Sequence, residues 1–228
     1  MFVCGVPKNI AEFSGVFNVS EDQFGELSIS LNMAKRIFAF RPEIYSAIMT
    51  RNGTPAAYSS AYPLKEEWAN AFAVGDIAEP DLTPDMLLSR EDALNGASVY
   101  IGTVVVAGNF DPFTKSVLLA SLFSWRARQM QDASVKRITA IMTPVTKHGQ
   151  RLARYIGAER LGARTDVNGY AIYSRKLSPG FLYRITSSME KLLSNSMVRL
   201  NLEFQPPMLP LPILSSPATA AWQGSEYV

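Results

Sequence analysis

Apolar residues along this chain follow two rhythms, one alternating or continuous as in strands and one recurring every three to four positions as in helices. The two meet between Ser98 and Met130. Val99-Tyr100-Ile101 and, past Gly102, Thr103-Val104-Val105-Val106 form an almost unbroken β-branched run, the pattern of a strand covered on both faces. Gly108 and Asn109 supply turn chemistry, and Asp111-Pro112 reads as an N-cap followed by proline at the first helical position. Phe113, Val117, Leu118, Leu122 and Trp125 then recur at helical spacing, with Arg126 and Arg128 towards the helix end. A buried strand that feeds a helix through a short loop makes an anion site, because the free N–H groups of the first turn point at the loop.

Around this unit the pattern predicts further elements. Gly15 to Val19 reads as a short strand. Ser20 and Gln23 have the spacing of a capping box, starting a helix that buries Phe24, Leu27, Leu31, Ala34, Ile37 and Phe38 and ends before Pro42. Asn52-Gly53 between two strand-like runs, within residues 44–63, predicts a β-hairpin carrying Tyr45, Tyr58 and Tyr62. Residues 64–97 lack one clear period. They mix two prolines with acidic residues, among them Glu66, Glu67, Asp76, Glu79, Asp81 and Asp85, and read as a substrate-facing excursion or as a solvated connection. Val135 to Met142 is another strand. Thr146 to Ile156 is a helix closed by Gly157, and Gly169 to Leu177 is a final strand, with a partner strand contributed through residues 167–169.

Pro179-Gly180 marks a boundary, after which Phe181, Ile185, Met189, Leu192 and Leu193 form an apolar helical stripe to about Met197. Gln205 to Pro217 holds five prolines among Leu, Met and Ile, an extended strip whose apolar residues call for a covering surface. Residues 1–178 are therefore expected to form one domain and residues 179–228 a C-terminal helix with a proline-rich extension. A homodimer bridged by that extension is the expected assembly.

Composition narrows the chemistry. A net charge of +2, with Lys and Arg scattered, offers no basic stripe for nucleic acid and no patch for an acidic membrane surface. Cys4 is the single cysteine and His148 the single histidine, which excludes an internal disulfide, a Cys-based zinc cluster and a multi-histidine metal site. The first residues do not read as a signal peptide and no apolar window reaches bilayer length, so a cytoplasmic protein without a membrane partner or metal is expected.

The succession strand, helix, hairpin, excursion, long strand, helix, strand, helix, strand over residues 16–177 resembles the GNAT superfamily of N-acyltransferases. Two pieces carry the likeness: Val104-Val105-Val106 leading to Leu118-Leu119, and the helix Arg151-Leu152-Ala153-Arg154-Tyr155-Ile156 ending in Gly157-Ala158 before Ala171-Ile172-Tyr173. The resemblance implies an α/β (α+β) fold with a central, mostly antiparallel mixed sheet flanked by helices. It also implies acetyl-CoA or another acyl-CoA as co-substrate, with an acyl carrier protein as the other thioester source, and a small-molecule or peptide amine as acceptor. The donor would lie beside Val104, Val105 and Val106, with Gly108, Asn109, Thr114, Lys115 and Ser116 around its phosphates and Thr143 against the pantetheine arm.

Tyr155 and His148 are the candidate catalytic side chains. The family's glycine-rich loop is altered here: with Leu118-Leu119 aligned, Phe110 takes the place of its Arg/Gln, and Phe113 and Lys115 take the places of its glycines. The family's general-acid Tyr falls at Ala153, two residues before Tyr155. Thr146 stands where the family's helix commonly opens with Asn. Two functions follow: an N-acyltransferase using a thioester donor, or a GNAT-like module that binds without catalysing.

Overall fold

The computed structural model describes residues 1–132 and 138–205. Its centre is an eight-stranded sheet built from β1 (Phe2–Gly5), β2 (Tyr45–Thr50), β3 (Pro55–Leu64), β4 (Ala97–Val106), β5 (Ile138–Met142), β6 (Glu159–Thr165), β7 (Ala171–Leu177) and β8 (Leu202–Phe204). The spatial order is β6-β7-β5-β4-β3-β2-β1-β8. Neighbours run antiparallel except for β4 with β5 and β1 with β8, so the sheet is mixed and mostly antiparallel, as expected. The helices are α1 (Ile10–Phe24), α2 (Leu31–Phe40), α3 (Glu66–Val74), α4 (Arg90–Leu94), α5 (Pro112–Asp132), α6 (Lys147–Tyr155) and α7 (Pro179–Leu200).

The N-terminal third departs from the sequence pattern. Gly15 to Val19, expected as a strand, lies inside α1, because Phe13, Val16, Phe17 and Ser20 recur at helical spacing and all face the core. The cap of this helix is Asn9, whose Oδ1 accepts from the Glu12 N–H at 2.9 Å, while the Glu12 carboxylate reaches back to the Lys8 N–H at 2.8 Å. Ser20 therefore caps nothing. The cap of the next helix is Ser30, whose Oγ accepts from the Met33 N–H at 3.3 Å. Ala34, Ile37 and Phe38 of α2 are buried as expected. Phe13 stacks on Phe38 with centroids 4.6 Å apart and packs at the same distance on Tyr45, which in turn stacks on Tyr58. The hairpin forms as expected, with Gly53 at φ +80° supplying the left-handed turn position.

Arg126 of α5 ties that helix to the sheet. Its guanidinium donates to the carbonyls of Glu43 (2.6 Å), Ile44 (2.7 Å) and Ser59 (3.3 Å) and to Ser46 Oγ (3.0 Å), and desolvation draws its pKa down to about 10.

The chain beyond residue 178 rejoins the same sheet. Helix α7 lies along α5, and β8 pairs in parallel with β1, Phe2 opposite Leu202 and Cys4 opposite Phe204. Gln205 fastens the end, its N–H donating to the Cys4 carbonyl (2.8 Å) and its carbonyl accepting from Trp125 Nε1 (3.1 Å). The short strand β8 has no expected counterpart in the sequence pattern. The side chains of Ile185, Met189, Leu192 and Leu193, and the proline strip from residue 206 onwards with the dimer it was expected to bridge, lie outside the described residues.

Because Leu202 is buried where β8 closes the sheet edge, Leu202→Ala is expected to lower unfolding stability by about 2–3 kcal/mol through lost burial and a residual cavity. A urea titration checks this: the midpoint falls with an unchanged slope.

Candidate active site

Strands β4 and β5 are paired for only part of their length. Their parallel ladder runs from Ala97 opposite Ile138 to Tyr100 opposite Ile141, whereas on its other edge β4 stays paired with β3 as far as Val106 opposite Ala57. Between Ile101 and Val106, one edge of β4 therefore has no strand beside it among the described residues. The Ala107 N–H donates to the Ala56 carbonyl (2.9 Å) and the Thr103 N–H to Ser60 Oγ (2.9 Å), both towards β3. Since successive amides of a strand point to opposite edges, the amides of Val104 and Val106 face the open side. The opening is a cleft of about 510 Å³ walled by Ile101–Val106 on one side and by Met142–Thr146 with the start of α6 on the other. Pro144 helps to keep β5 short, because it has no N–H to continue a ladder. At the apex the Tyr100 hydroxyl and Thr143 Oγ1 are joined across the two strands at 2.7 Å.

The β3–β4 register slips at this level: Ser59 faces Val104 and Ala61 faces Ile101, so Gly102 and Thr103 together oppose Ser60. This is a β-bulge, which bends the strand and re-aims its groups. The bulge receives Glu79, from the short helical turn Glu79–Asp81 in the excursion between α3 and α4. A Cβ on Gly102 would lie 2.8 Å from Glu79 Oε1, 2.8 Å from Ser60 Oγ and 2.9 Å from the Tyr62 ring, so glycine is required for that approach. Glu79 is 8% exposed, and Thr103 Oγ1 is 3.4 Å from its Oε1. Thr103 Oγ1 also meets Ser20 Oγ at 3.1 Å, and Ser20 meets Ser28 at 3.4 Å. Among the described residues no cation pairs with Glu79. Burial therefore dominates and pushes its pKa up to about 8, against smaller lowering contributions from Thr103 and Tyr62. A buried carboxylate tuned to this range, on the wall of a cleft, has the properties of a general base.

The loop between β4 and α5 is built differently from a glycine-rich cradle. Asp111 Oδ1 accepts from the N–H groups of Phe113 (2.9 Å) and Thr114 (3.1 Å), and the Thr114 hydroxyl donates to Oδ2 at 2.5 Å. These bonds, led by those from Thr114, hold the Asp111 carboxyl below its usual range. Two first-turn donors that would meet a phosphate thus already have a carboxylate. Lys115 Nζ reaches back to the Gly108 carbonyl at 3.0 Å and closes the loop. Phe110 turns inward and meets Phe2 edge to face at 5.9 Å, so an aromatic contact occupies the position that the resemblance assigns to a polar residue.

Of the residues singled out from the sequence, Val104, Val105, Val106, Lys115, Ser116, Thr143 and His148 line this one cleft. Gly108, Asn109 and Thr114 lie on the adjoining loop and helix start without lining it, Thr114 being turned to Asp111. Tyr155 is 70% exposed and lies off the cleft, while Ala153 beneath it is fully buried. The far wall brings in Gln23 and Phe24 from the end of α1, Leu27 from the short helical turn after it, and Asp166, Asn168 and Tyr170 from the β6–β7 turn, none of which the sequence pattern had marked as site residues. That turn is held by Asp166 Oδ1, which accepts from the N–H groups of Asn168 (3.0 Å) and Tyr170 (2.8 Å). The signal for it in the sequence is Asp166 two residues before Asn168-Gly169, an Asx-turn pattern. Among the described residues no group of three or more His, Cys, Asp or Glu side chains is arranged to hold a metal ion, and no helix is long and apolar enough to cross a membrane.

No protein-family model and no curated relative matches the chain. Solved structures do. FeeM, an N-acyl amino acid synthase from uncultured soil microbes, is 11% identical, with 84% of this chain and 98% of that one covered at a TM-score of 0.54. A chain of the NatC complex bound to Gag peptide and CoA is 13% identical, with 78% of this chain and 98% of that one covered at a TM-score of 0.52. This likeness establishes the fold: an acyl-CoA N-acyltransferase-like (GNAT) α/β fold, as the sequence resemblance implied.

The buried carboxyl also makes a stability prediction. With its folded pKa raised from 4.5 to about 8, Glu79 contributes most below pH 4.5, and that contribution is lost as pH rises through 8. The stability of Glu79→Gln relative to the parent is therefore expected to increase across this window by up to about 1.4 kcal/mol per pH unit and to level off beyond both ends. Denaturant titrations of both proteins from pH 4 to 9 measure the difference, and a pH-independent difference would show that Glu79 ionises normally.

Proposed function

We propose that this chain is an N-acyltransferase that moves an acyl group from a thioester donor to an amine. The observation that carries the reading is the parting of β4 from β5, which leaves the amides of Val104 and Val106 open beside the buried carboxylate of Glu79. A pantetheine arm has amides of its own and completes the ladder that β5 abandons, with Thr143 on the facing wall. The acceptor amine enters over Gln23, Phe24, Leu27 and the Asp166–Tyr170 turn, the side on which Glu79 lies. Glu79 takes a proton from the ammonium, and the nitrogen lone pair attacks the thioester carbonyl carbon. A C–N bond forms and an oxyanion develops against the free strand amides. Collapse of this intermediate breaks the C–S bond and the electron pair leaves on sulfur. The nitrogen gives its remaining extra proton to His148, on the wall formed by α6, which passes it to the thiolate, and Glu79 releases its proton to solvent. The products are an amide and a free thiol.

The Asp111 cap bears on the form of the donor. Because Asp111 already holds the N–H groups of Phe113 and Thr114, a phosphate is left to the side chains of Lys115 and Ser116, which would turn to it from the carbonyls of Gly108 and Pro112. This favours a donor that places a single phosphate there, as phosphopantetheine on a carrier protein does, over one that seats a diphosphate in the loop. The same feature favours the non-catalytic binding module as the second reading.

Thiol release with acetyl-CoA, longer acyl-CoAs and acyl carrier protein, each with a panel of primary amines and amino-terminal peptides, tests the proposal. With an acceptor whose own pKa is well above 8, kcat/KM is expected to rise with pH and level off near the Glu79 pKa of about 8. Glu79→Gln is expected to lower kcat by about 10²–10⁴-fold and to abolish that inflection. Donor binding without thiol release under any combination would favour the binding module instead.

A further inference from the structure

We propose that the acyl chain of the donor passes between the parted strands into an apolar cavity behind the sheet, flanked by the C-terminal helix α7, and that the natural acyl group is therefore a hydrocarbon chain of roughly four to eight carbons instead of acetyl. This rests on the acyltransferase reading and names its donor class. The cavity, about 90 Å³, is walled by the sheet residues Ala61, Ile101 and Ala140, by Leu122 and Ala127 of α5, and by Phe181 of α7. Roughly 10–15 Å³ is enough for one water-sized group, so the space takes several methylenes. Its polar neighbours are Ser59, Ser60 and Arg126: Ser59 Oγ meets Ser46 Oγ at 2.6 Å, Ser60 Oγ accepts from the Thr103 N–H, and the Arg126 Nη groups donate to the carbonyls of Glu43, Ile44 and Ser59, its Nε alone having no partner among the described residues.

The cavity adjoins the cleft across a shared wall. Ile101, Val104, Met142 and Leu152 line both. Two of these stand where the strands separate: Ile101 follows Tyr100 and Met142 follows Ile141, the last ladder pair. The two faces of the sheet at this level are distinct. Tyr62 and Tyr100 are cross-strand partners and stack at 6.4 Å on the Glu79 side, whereas their neighbours Ala61 and Ile101, also partners, face the cavity. A thioester carbonyl in the gap thus has amine and base on one face and room for its alkyl chain on the other. That room exists because three wall positions carry alanine, each buried, where a larger apolar residue would close it.

Calorimetry with CoA and its non-reactive S-hexyl and S-octyl thioethers tests the cavity without turnover. The alkyl chain is expected to tighten binding roughly thirtyfold or more over CoA itself. Ala140→Leu, or Ala127→Leu if the first variant folds poorly, is expected to erase most of that increment. Phe181→Ala is expected to move the optimum to a longer chain, both in binding and in the acyl-CoA preference of thiol release. An alkyl chain that adds nothing, or an increment insensitive to both filling variants, overturns the proposal. A chain-dependent increment that the filling variants remove, in a protein that releases no thiol from any donor, supports the cavity as the alkyl site and counts against the transferase reading alone.

Discussion

An unpartnered strand edge inside a protein is unfavourable, since buried amides must find hydrogen-bond partners. The free edge of β4 between Ile101 and Val106 is the constraint around which the molecule is arranged. It persists because β4 is held elsewhere: by the antiparallel ladder with β3 along nearly its whole length, and by the Ala97–Tyr100 ladder with β5. The gap is also fixed at its apex, where the Tyr100–Thr143 bond ties the last paired residue to the end of β5. Any molecule with amides of its own is favoured there, because it satisfies groups that the fold has deliberately left to water.

The second expense of the site is Glu79. Among the described residues no arginine pairs with this carboxylate; the buried guanidinium of Arg126 on α5 is held by the carbonyls of Glu43, Ile44 and Ser59. Glu79 is left with hydroxyl neighbours, which lower its pKa less than burial raises it. The Gly102 bulge admits the carboxylate to the strand, and the Ser20–Thr103 contact links that bulge to α1. The carboxylate and its strand are thus positioned by contacts from α1, β3 and the excursion, and no local segment contains the arrangement.

This explains what the sequence made legible. β4, the Asn52-Gly53 hairpin, the Asp111 cap and the Thr146-capped helix each depend on chemistry within a few residues, and each formed where its pattern placed it. The N-terminal segment misled because Val16, Phe17 and Val19 look like a strand in isolation. Only the longer recurrence of Phe13, Val16, Phe17 and Ser20, together with the Asn9 cap, distinguishes a helix. Ser20 carried a capping-box spacing but lies in mid-helix, where its hydroxyl serves a contact 83 positions away. Glu79 was one of eight acids in an aperiodic stretch, and nothing local separates a buried carboxylate from a solvated one. Three-residue β8 owes its existence to β1, nearly the whole chain away.

The sheet then acts as a partition. Polar and titratable groups, Glu79, Thr103, Ser20 and Asp166, gather on or beside the cleft, whereas α5 and α7 cover an apolar compartment behind it. Where the strands part, Ile101, Val104, Met142 and Leu152 form a wall common to both. A substrate with a polar arm, a reactive carbonyl and an apolar tail has three regions with opposite solvation demands, and this fold offers the three environments in that order. Helix α7 contributes Phe181 and Leu182 to the wall of the third, so the segment after residue 178 shapes that compartment as well as the sheet edge that β8 closes.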